Sequence, residues 1–375
     1  MLTTDVANLH DASYRNFTKL YAANITELNT AFAHAWYKLT TQDMGPAERC
    51  LGNMVPAPQP FQHPLPRPGK AVAKLENVRA AIVKALRNAS LSDILEPDTL
   101  PDGSPWYGAL FVNLAYQCAL TFRATDYRGG CSGARIRLLP QREWPNNAGM
   151  DKVLAVVQTM KDQFKDNELS WADLIVLAAQ VALEEAGMPQ VLFCGGRSDA
   201  IETDDDGGVH VRDWYPDPFV AFRDNMRVMG LNEHEAIALM GRLRSPTQQA
   251  RLNYTGSYTN ESATLSNNFY NYLLTEDWQG WVSKNESTGM WQYNNEGTSG
   301  NMVMSGDDLV ILYNTTWRAV AQEFAADDAK FKSTFASAWS KLMNADRFKG
   351  PAGNLCGDGI SGVVTEPSIN SVVAG

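Results

Sequence analysis

The chain has no long hydrophobic run and no excess of basic residues. A membrane-spanning helix needs about 20 consecutive apolar residues, and no stretch approaches that length, so the sequence predicts no membrane span. The formal net charge is −10, which argues against nucleic acid as a partner because phosphate binding needs a basic patch. The first residues, MLTTDVANLHDASYR, are polar and acidic, and are typical neither of a signal peptide nor of a transit peptide.

Cysteine is scarce as well. The five cysteines form no CxxC pair, so no zinc site is expected, and their odd number leaves at least one thiol unpaired. The acidic run at residues 204–206 lacks the alternating ligand spacing of a calcium-binding loop, and we interpret it as a solvated loop. Asparagine, by contrast, opens seven N-x-[ST] sequons, which favour a secretory or extracellular location. These begin at Asn16, Asn24, Asn88, Asn253, Asn260, Asn285 and Asn314.

Two stretches near opposite ends of the chain repeat each other. Residues 14–44 align without a gap with the stretch that begins at Trp317, at a constant offset of 303 residues (317 − 14). Tyr14 pairs with Trp317, and Trp36 pairs with Trp339. The period is too long for a solenoid. It indicates a duplicated domain, of which this chain holds one whole copy and the tail of an earlier one.

Composition divides the chain into four segments. Residues 1–44 are the remnant closing helices of a preceding domain, and we expect two helices there. Residues 45–72 are dense in proline and predict a semi-extended linker. Residues 73–350 predict one helix-rich domain, and residues 351–375 a flexible tail.

Apolar periodicity predicts an all-α domain. Helices are expected over 75–89, 105–125, 150–164, 170–187 and 232–245, and from Ser305 to about Asp346. The helix at 170–187 has the clearest ends, because Ser170 is a favourable N-cap and Gly187 a favourable stop. Residues 246–303, rich in Asn, Thr, Ser and Gly, predict an irregular segment with short turns.

Several stretches, taken together, resemble the bifunctional catalase-peroxidases, class I of the haem peroxidase superfamily. GPAERCLGNMVPAPQPFQHPLP resembles their interdomain linker, and TFRATDYRGGCSGARIRLLPQREWP, SWADLIVLAAQVALEEAG and CGGRSDA resemble blocks of their fold. NNFYNYLL and AWSKLMNADRF resemble the end of the second domain. The resemblance is collinear over about residues 1–350. It implies a multi-helix haem-peroxidase-like fold without a haem site: the C-terminal half, preceded by the last helices of the haem-binding half.

The resemblance also implies where the haem-site residues of an active half would lie. The active half has the pattern Arg-x-x-Trp-His on its second helix, where this chain reads Asn113, Leu114, Ala115, Tyr116 and Gln117. Asn113 supplies no positive charge, Gln117 does not titrate, and Tyr116 is no general base near neutral pH. Two alternatives remain open for the cavity that these three residues would line. It is filled by side chains, or it binds a small molecule.

The position of the proximal histidine in the family that this chain resembles corresponds to Leu243, with one residue of uncertainty. Neither Leu243 nor its neighbours Arg242 and Arg244 can ligate iron. A thiolate from Cys118 is conceivable, but a cysteine on an apolar helix is more typical of the core. The histidines are each better explained by packing or surface positions than by a haem site. They are His10, His34, His63, His210 and His234.

Three further expectations come from the resemblance and the repeat. In the family, the stretch resembling MLTTDVA carries the aspartate that hydrogen-bonds the proximal histidine of the first domain; here this is Asp5, with Asp308 as its repeat counterpart. Met1 aligns with the internal Met304, so we expect it to be an internal position of a longer precursor. A disulfide among Cys118, Cys131 and Cys194 is also possible in an oxidising compartment.

Three functions stay open. The chain is a non-catalytic peroxidase-fold domain without a cofactor of its own, which scaffolds a haem-bearing peroxidase half or dimerises with its own copy. Alternatively, it is one half of an active haem catalase-peroxidase, and haem is supplied by a separate or cleaved N-terminal half. A third possibility is a structural extracellular glycoprotein that uses the fold as an interaction module. In each case the chain is not expected to be catalytic on its own residues.

Overall fold

The computed structural model describes residues 1–42, 47, 50, 53–62, 69, 70, 72–167, 169–201, 217–254, 256–275, 278, 281–284, 291–294, 302–346, 355, 356, 360 and 361. The chain divides into two compact units, residues 1–64 and 65–375, and the division lies inside the predicted linker. No helix among the described residues is long and apolar enough to cross a membrane.

The described residues of the first unit form three α-helices rather than the two predicted. They are α1 (Thr3–His10), α2 (Ala12–Ala23) and α3 (Ile25–Thr41). The additional helix, α1, is closed at its start by Asp5, whose carboxylate accepts a hydrogen bond from the backbone N–H of Leu2 at 2.7 Å. Asp11 then caps α2 by accepting from the N–H of Tyr14 at 2.9 Å. The prediction of two helices is wrong because this short polar helix has caps but no apolar stripe.

The second unit is helical, and the predicted all-α class is confirmed. Its helices are α4 (Leu75–Leu86), α5 (Gly108–Ala119), α6 (Met150–Lys161), α7 (Trp171–Glu185), α8 (Pro218–Val228), α9 (Glu233–Met240), α10 (Pro246–Arg251), α11 (Asn268–Thr275), α12 (Gly306–Tyr313), α13 (Thr315–Ala326) and α14 (Asp328–Asn344). Its strands are short: β1 (Asp98–Thr99), β2 (Pro105–Trp106), β3 (Cys194–Gly195), β4 (Trp281–Lys284), β5 (Trp291–Asn294), β6 (Val303–Ser305), β7 (Leu355–Cys356) and β8 (Ile360–Ser361). β1 pairs with β2, β7 lies between β3 and β8, and β5 lies between β4 and β6, all antiparallel.

Helix α7 is the centre of the second unit. Every residue from Ala172 to Leu183 is buried, and α5 packs along it. Its predicted N-cap is confirmed, because the Ser170 hydroxyl accepts a hydrogen bond from the Asp173 N–H at 3.0 Å. A helix buried all round needs neighbours on every side. α4, α5 and α6 all pack against α7, and the core therefore surrounds it.

Other sequence predictions also differ from the structure, and the helix expected over 232–245 ends at Met240. The helix expected from Pro105 begins instead at Gly108, because β2 pairs in extended form with β1. The segment 246–303, predicted to be irregular, contains α10, α11 and strands β4 and β5. Helix α10 is set by a cap rather than by an apolar stripe: the Ser245 hydroxyl accepts from the Gln248 N–H at 3.1 Å. Apolar periodicity does not detect a helix of this kind.

The repeat seen in the sequence is a repeat of helix boundaries. α1, α2 and α3 begin and end at the positions equivalent to α12, α13 and α14, with the same offset of 303 residues (315 − 12). The caps also correspond, since Asp308 closes the start of α12 as Asp5 closes α1. In α13 and α14 the aromatic residues of the repeat are core residues. They include Trp317, Phe324, Phe331, Phe335 and Trp339.

The cysteines are mostly cross-linked. Cys118, near the end of α5, forms a disulfide with Cys131, which removes the free thiolate considered as an iron ligand. Cys194 is also disulfide-bonded, and its strand pairs it in register with Cys356. Cys50 is free, as the odd number required. Some sequence predictions lie outside the described residues: the acidic loop at 204–206, His63, His210 and most of the tail 351–375.

Candidate functional site

A cavity of about 510 Å³ lies in the second unit between α5, α8, α9, α10 and the start of α12. This volume is typical of pockets for small molecules. The three residues predicted to line a haem-site remnant, Asn113, Tyr116 and Gln117, all line it. The structure therefore brings together the residues that the sequence motif selected, and it leaves open space beside them.

Helix periodicity explains why these three side chains share the cavity. Residues at i, i+3 and i+4 lie on one face of a helix, which is the spacing of Asn113, Tyr116 and Gln117. The remaining faces of α5 carry fully buried apolar residues such as Leu110 and Phe111, which belong to the core. The polar face of an otherwise apolar helix is therefore turned to the cavity.

The second wall follows the end of α9. That helix begins with a capping box, in which Asn232 and Glu235 exchange hydrogen bonds of 2.8 and 2.9 Å, and it ends before Gly241. Arg242 and Arg244 line the cavity, but Leu243 does not: its side chain is buried in the hydrophobic core. The segment selected from the sequence thus reaches the cavity, and the cavity is lined by the neighbours of Leu243 rather than by Leu243 itself.

Arg244 is held by a bidentate ion pair with Asp308 on α12. The two guanidinium N–H groups donate to the two carboxylate oxygens at 2.8 and 2.6 Å. Asp308 is fully buried and also accepts from the Ser305 hydroxyl at 2.7 Å. Burial acts to raise the pKa of Asp308, but the charge and hydrogen bonds of Arg244 and those of Ser305 outweigh it, so the pKa is lowered. This carboxylate therefore stays ionised at neutral pH.

Asp307, next to Asp308, also lines the cavity and behaves differently. Burial and the charge of Asp308 together raise the pKa of Asp307 to about 6, and the nearby Arg244 and Arg242 only partly offset this. The cavity thus contains two adjacent carboxylates whose pKa values move in opposite directions. No motif in the sequence singled out Asp307, and Arg242 was named only as a neighbour of Leu243 that cannot ligate iron.

Asp5 lies in the first unit and is exposed, whereas its counterpart Asp308 is buried. Both carboxylates accept a hydrogen bond from the backbone N–H of their own helix cap, at Leu2 and Ser305 respectively. Asp308 has a cationic partner in addition. No such partner of Asp5 is found in the described part of the chain, and its predicted role beside a histidine stays a prediction.

The donor atoms around the cavity are a poor match to a haem iron. The described residues of its lining include no histidine and no cysteine. The Arg244 guanidinium has no lone pair to offer a metal. Of the tyrosines, Tyr116 lies under the guanidinium of Arg242, and burial raises the pKa of Tyr258 to about 12, which disfavours a phenolate ligand. Among the histidines described elsewhere in the chain, His10 and His34 are exposed in the first unit. The Nε2 atom of His234 lies 3.4 Å from a carboxylate oxygen of Glu323.

The two adjacent carboxylates give opposite expectations for stability. Asp307 has a higher pKa in the folded than in the unfolded chain, so its ionisation above about pH 6 destabilises the fold. Asp307→Asn should therefore be more stable than the wild type at pH 7, and the difference should vanish as the pH falls to about 4. Urea unfolding of the full chain between these two pH values measures this. A constant difference, or none, would contradict it.

The matched control is Asp308→Asn. The pKa of the Asp308 carboxyl is lowered in the folded chain, so its ionised form stabilises the fold at pH values above the unfolded pKa of 3.8. The substitution leaves Arg244 buried without its counter-charge, and a loss of about 3–5 kcal/mol in the free energy of unfolding is expected at pH 7. This loss should persist to about pH 4, unlike the effect at Asp307.

Comparison with known proteins agrees with this architecture. A family model described as peroxidase matches residues 78–327. A catalase-peroxidase of Leptospira biflexa serovar Patoc is 34% identical over 378 residues, which cover 93% of this chain and 48% of the relative. A catalase-peroxidase of Yersinia pestis is 33% identical over 379 residues, covering 93% and 49%. The chain thus spans about half the length of the curated relatives it matches. With its helical fold and the match over most of its second unit, the chain belongs to the peroxidase family and is similar to the catalase-peroxidases.

Proposed function

We propose that this chain is a non-catalytic, haem-free peroxidase-like domain joined to the closing helices of a second peroxidase-like domain, and that it scaffolds the haem-bearing body of that second domain. The observation that carries the proposal is a contrast in burial. The same repeat positions are core residues in the second unit and solvent-exposed residues in the first. An amphipathic helix face that is apolar and exposed marks an interaction site.

The contrast is large at the rare aromatic positions. Trp36 is 57% exposed and its counterpart Trp339 is 1% exposed, while the values for Tyr14 and Trp317 are 56% and 2%. The other pairs of exposed and buried positions are Phe17 with Val320, Phe32 with Phe335, and Leu39 with Leu342. In the second unit this face is covered by the body of a peroxidase-like domain. The equivalent face of α2 and α3 is therefore complementary to a second body of the same kind.

The length of the relatives supports the same partner. The match covers 48% of the Leptospira catalase-peroxidase, which leaves about as many residues again outside the matched region. That is enough for a second domain. The relatives are named catalase-peroxidases, and we infer that the partner of this chain is the haem-bearing half of such a protein.

The absence of catalysis in this proposal rests on the chemistry of the cavity. In the haem-binding half of the family that this chain resembles, the aspartate at the position equivalent to Asp308 holds the proximal histidine. We infer that the residue paired with Asp308 occupies the position of that histidine. That residue is Arg244. On the opposite wall, Asn113 and Gln117 have neither the charge nor the titrating group that peroxide cleavage requires. We infer that neither wall of the cavity can serve iron.

The full chain alone should therefore not form a ligated haem complex. On titration with haemin we expect no Soret band characteristic of histidine ligation and no peroxidase turnover, because the lining offers iron no imidazole or thiolate. Absorbance spectroscopy and a peroxidase assay measure the two quantities. A stoichiometric Soret shift or measurable turnover would sink the haem-free proposal.

The exposed helix face should bind the haem-bearing half of a catalase-peroxidase expressed without its own closing helices. A complex is expected by size-exclusion chromatography with light scattering. Trp36→Ala should weaken it by roughly 30-fold or more, as expected for an aromatic residue at the centre of an interface. Met54→Ala is the matched control, because Met54 is exposed in the same unit but lies outside the repeat. Equal effects of the two substitutions, or no complex, would contradict the scaffold role.

A second function is favoured by one observation, the position of Asp5 in the first turn of α1. Asp308, at the equivalent position, holds a buried cation. We infer that Asp5 orients the proximal histidine of the haem-bearing half, which would make this chain one half of a working enzyme.

Asp5→Asn should then lower the peroxidase turnover of the reconstituted complex by roughly 10- to 100-fold, because the histidine loses its orienting carboxylate. Steady-state kinetics of the mixed halves, with binding checked separately, provide the measurement. Glu27→Gln is the control, since Glu27 is an exposed carboxylate in the first turn of α3. Unchanged turnover of the Asp5 variant would reject this role and leave the scaffold role standing.

A further inference from the structure

The cavity contains a guanidinium group whose charge is not neutralised by a paired carboxylate. Arg242 donates one hydrogen bond, to the carbonyl oxygen of Leu239 at 3.2 Å, and forms no ion pair with a described residue. This contrasts with Arg244, both of whose terminal nitrogens are held by Asp308. Burial lowers the pKa of Arg242, but a guanidinium remains protonated at neutral pH. At least two of its N–H donors have no partner in the described structure.

The polar groups beside Arg242 are also without partners. The Arg242 guanidinium lies over the Tyr116 ring with its carbon 4.0 Å from the ring centroid, which fixes its plane. Asn113 and Gln117 flank Tyr116 on the same face of α5 and line the cavity. Within the described part of the chain, neither amide makes a side-chain hydrogen bond. Two amides and a guanidinium thus line the same cavity, and the guanidinium stacks on the tyrosine that neighbours both amides on α5.

The rest of the cavity is mostly apolar and partly aromatic. Contributing residues include Leu120, Trp144, Phe222, Met226, Met229 and Leu239. Apolar walls with a few convergent polar groups are the usual composition of a small-molecule site. Methionine side chains adapt to ligands of different shape. The cavity lining therefore combines a cationic group and amides with a large apolar surface.

The charge of the remaining residues limits the ligand to a single negative charge. Asp308 neutralises Arg244, and Asp307 adds a second carboxylate to the lining. Among the described lining residues, Arg242 is the guanidinium left without a paired carboxylate, and Asp307 opposes any further negative charge. A nucleotide or another polyphosphate would meet repulsion here.

We propose that this cavity binds an apolar monocarboxylate, with the carboxylate on Arg242 and the amides of Asn113 and Gln117, and an aromatic-sized body against the apolar wall. A planar guanidinium accommodates a carboxylate through two parallel N–H···O bonds. The site goes beyond the scaffold role and does not depend on it, because every residue named lies in the second unit.

The test is calorimetric titration of the full chain, without haem, using benzoate and its neutral isostere benzamide. Benzoate should bind at least tenfold more tightly than benzamide, and Arg242→Gln should weaken benzoate by roughly 10- to 100-fold with little effect on benzamide. Asp307→Asn should tighten benzoate severalfold at pH 7, because it removes the opposing charge. Acetate, which lacks the apolar body, should bind much more weakly than benzoate.

The matched control is Arg223→Gln. Arg223 lies on α8 but is 37% exposed and pairs with Asp224, outside the cavity lining. It should bind benzoate like the wild type. The proposal would be overturned if benzoate and benzamide bound with equal affinity, or if acetate bound as tightly as benzoate. It would also be overturned if benzoate did not bind at millimolar concentration. If Arg242→Gln fails to fold by circular dichroism, the comparison of benzoate with benzamide on the wild type and on Asp307→Asn decides the question.

Discussion

The ion pair between Arg244 and Asp308 is the constraint on which the cavity depends. It joins the segment after α9 to the start of α12, and the same carboxylate closes the first turn of α12 through Ser305. Separating two such buried charges is costly, whereas in the intact pair both terminal nitrogens of Arg244 donate to the Asp308 carboxylate. The pair therefore fixes one wall of the cavity and commits the guanidinium of Arg244 to the protein. Arg242, two residues earlier on the same irregular segment, is left as the cation that faces the open space.

Much of the fold could be read from the sequence because its helix ends are encoded locally. The N-cap of α7 at Ser170 was predicted from residue type and confirmed by its hydrogen bond. Tertiary pairing decided the start of α5 instead, since β2 pairs with β1 and delays the helix to Gly108. Helix α10 escaped prediction because a cap alone defines it. Periodicity detects helices that bury a stripe, and it does not detect short polar ones.

The site was predictable on one wall and less so on the other. Asn113, Tyr116 and Gln117 lie on a regular helix, where spacing in the sequence determines which side chains share a face. Arg242, Leu243 and Arg244 follow the end of α9, and outside a helix no fixed period relates position to direction. A shift of one residue in the aligned position therefore changes the residue selected from a leucine in the core to an arginine that lines the cavity. The pairing of Arg244 with Asp308, 64 residues further along the chain, carries no local signal.

The coincidence of helix boundaries between α1–α3 and α12–α14 has a thermodynamic consequence. Both sets have the same ends, although only one set has its apolar face covered. Short isolated helices are marginal in water, and most of their stability comes from tertiary packing of the apolar face. Under the scaffold role proposed above, the helical content of the first unit depends on the concentration of the proposed partner. Folding of this segment and binding of that partner are then a single coupled equilibrium.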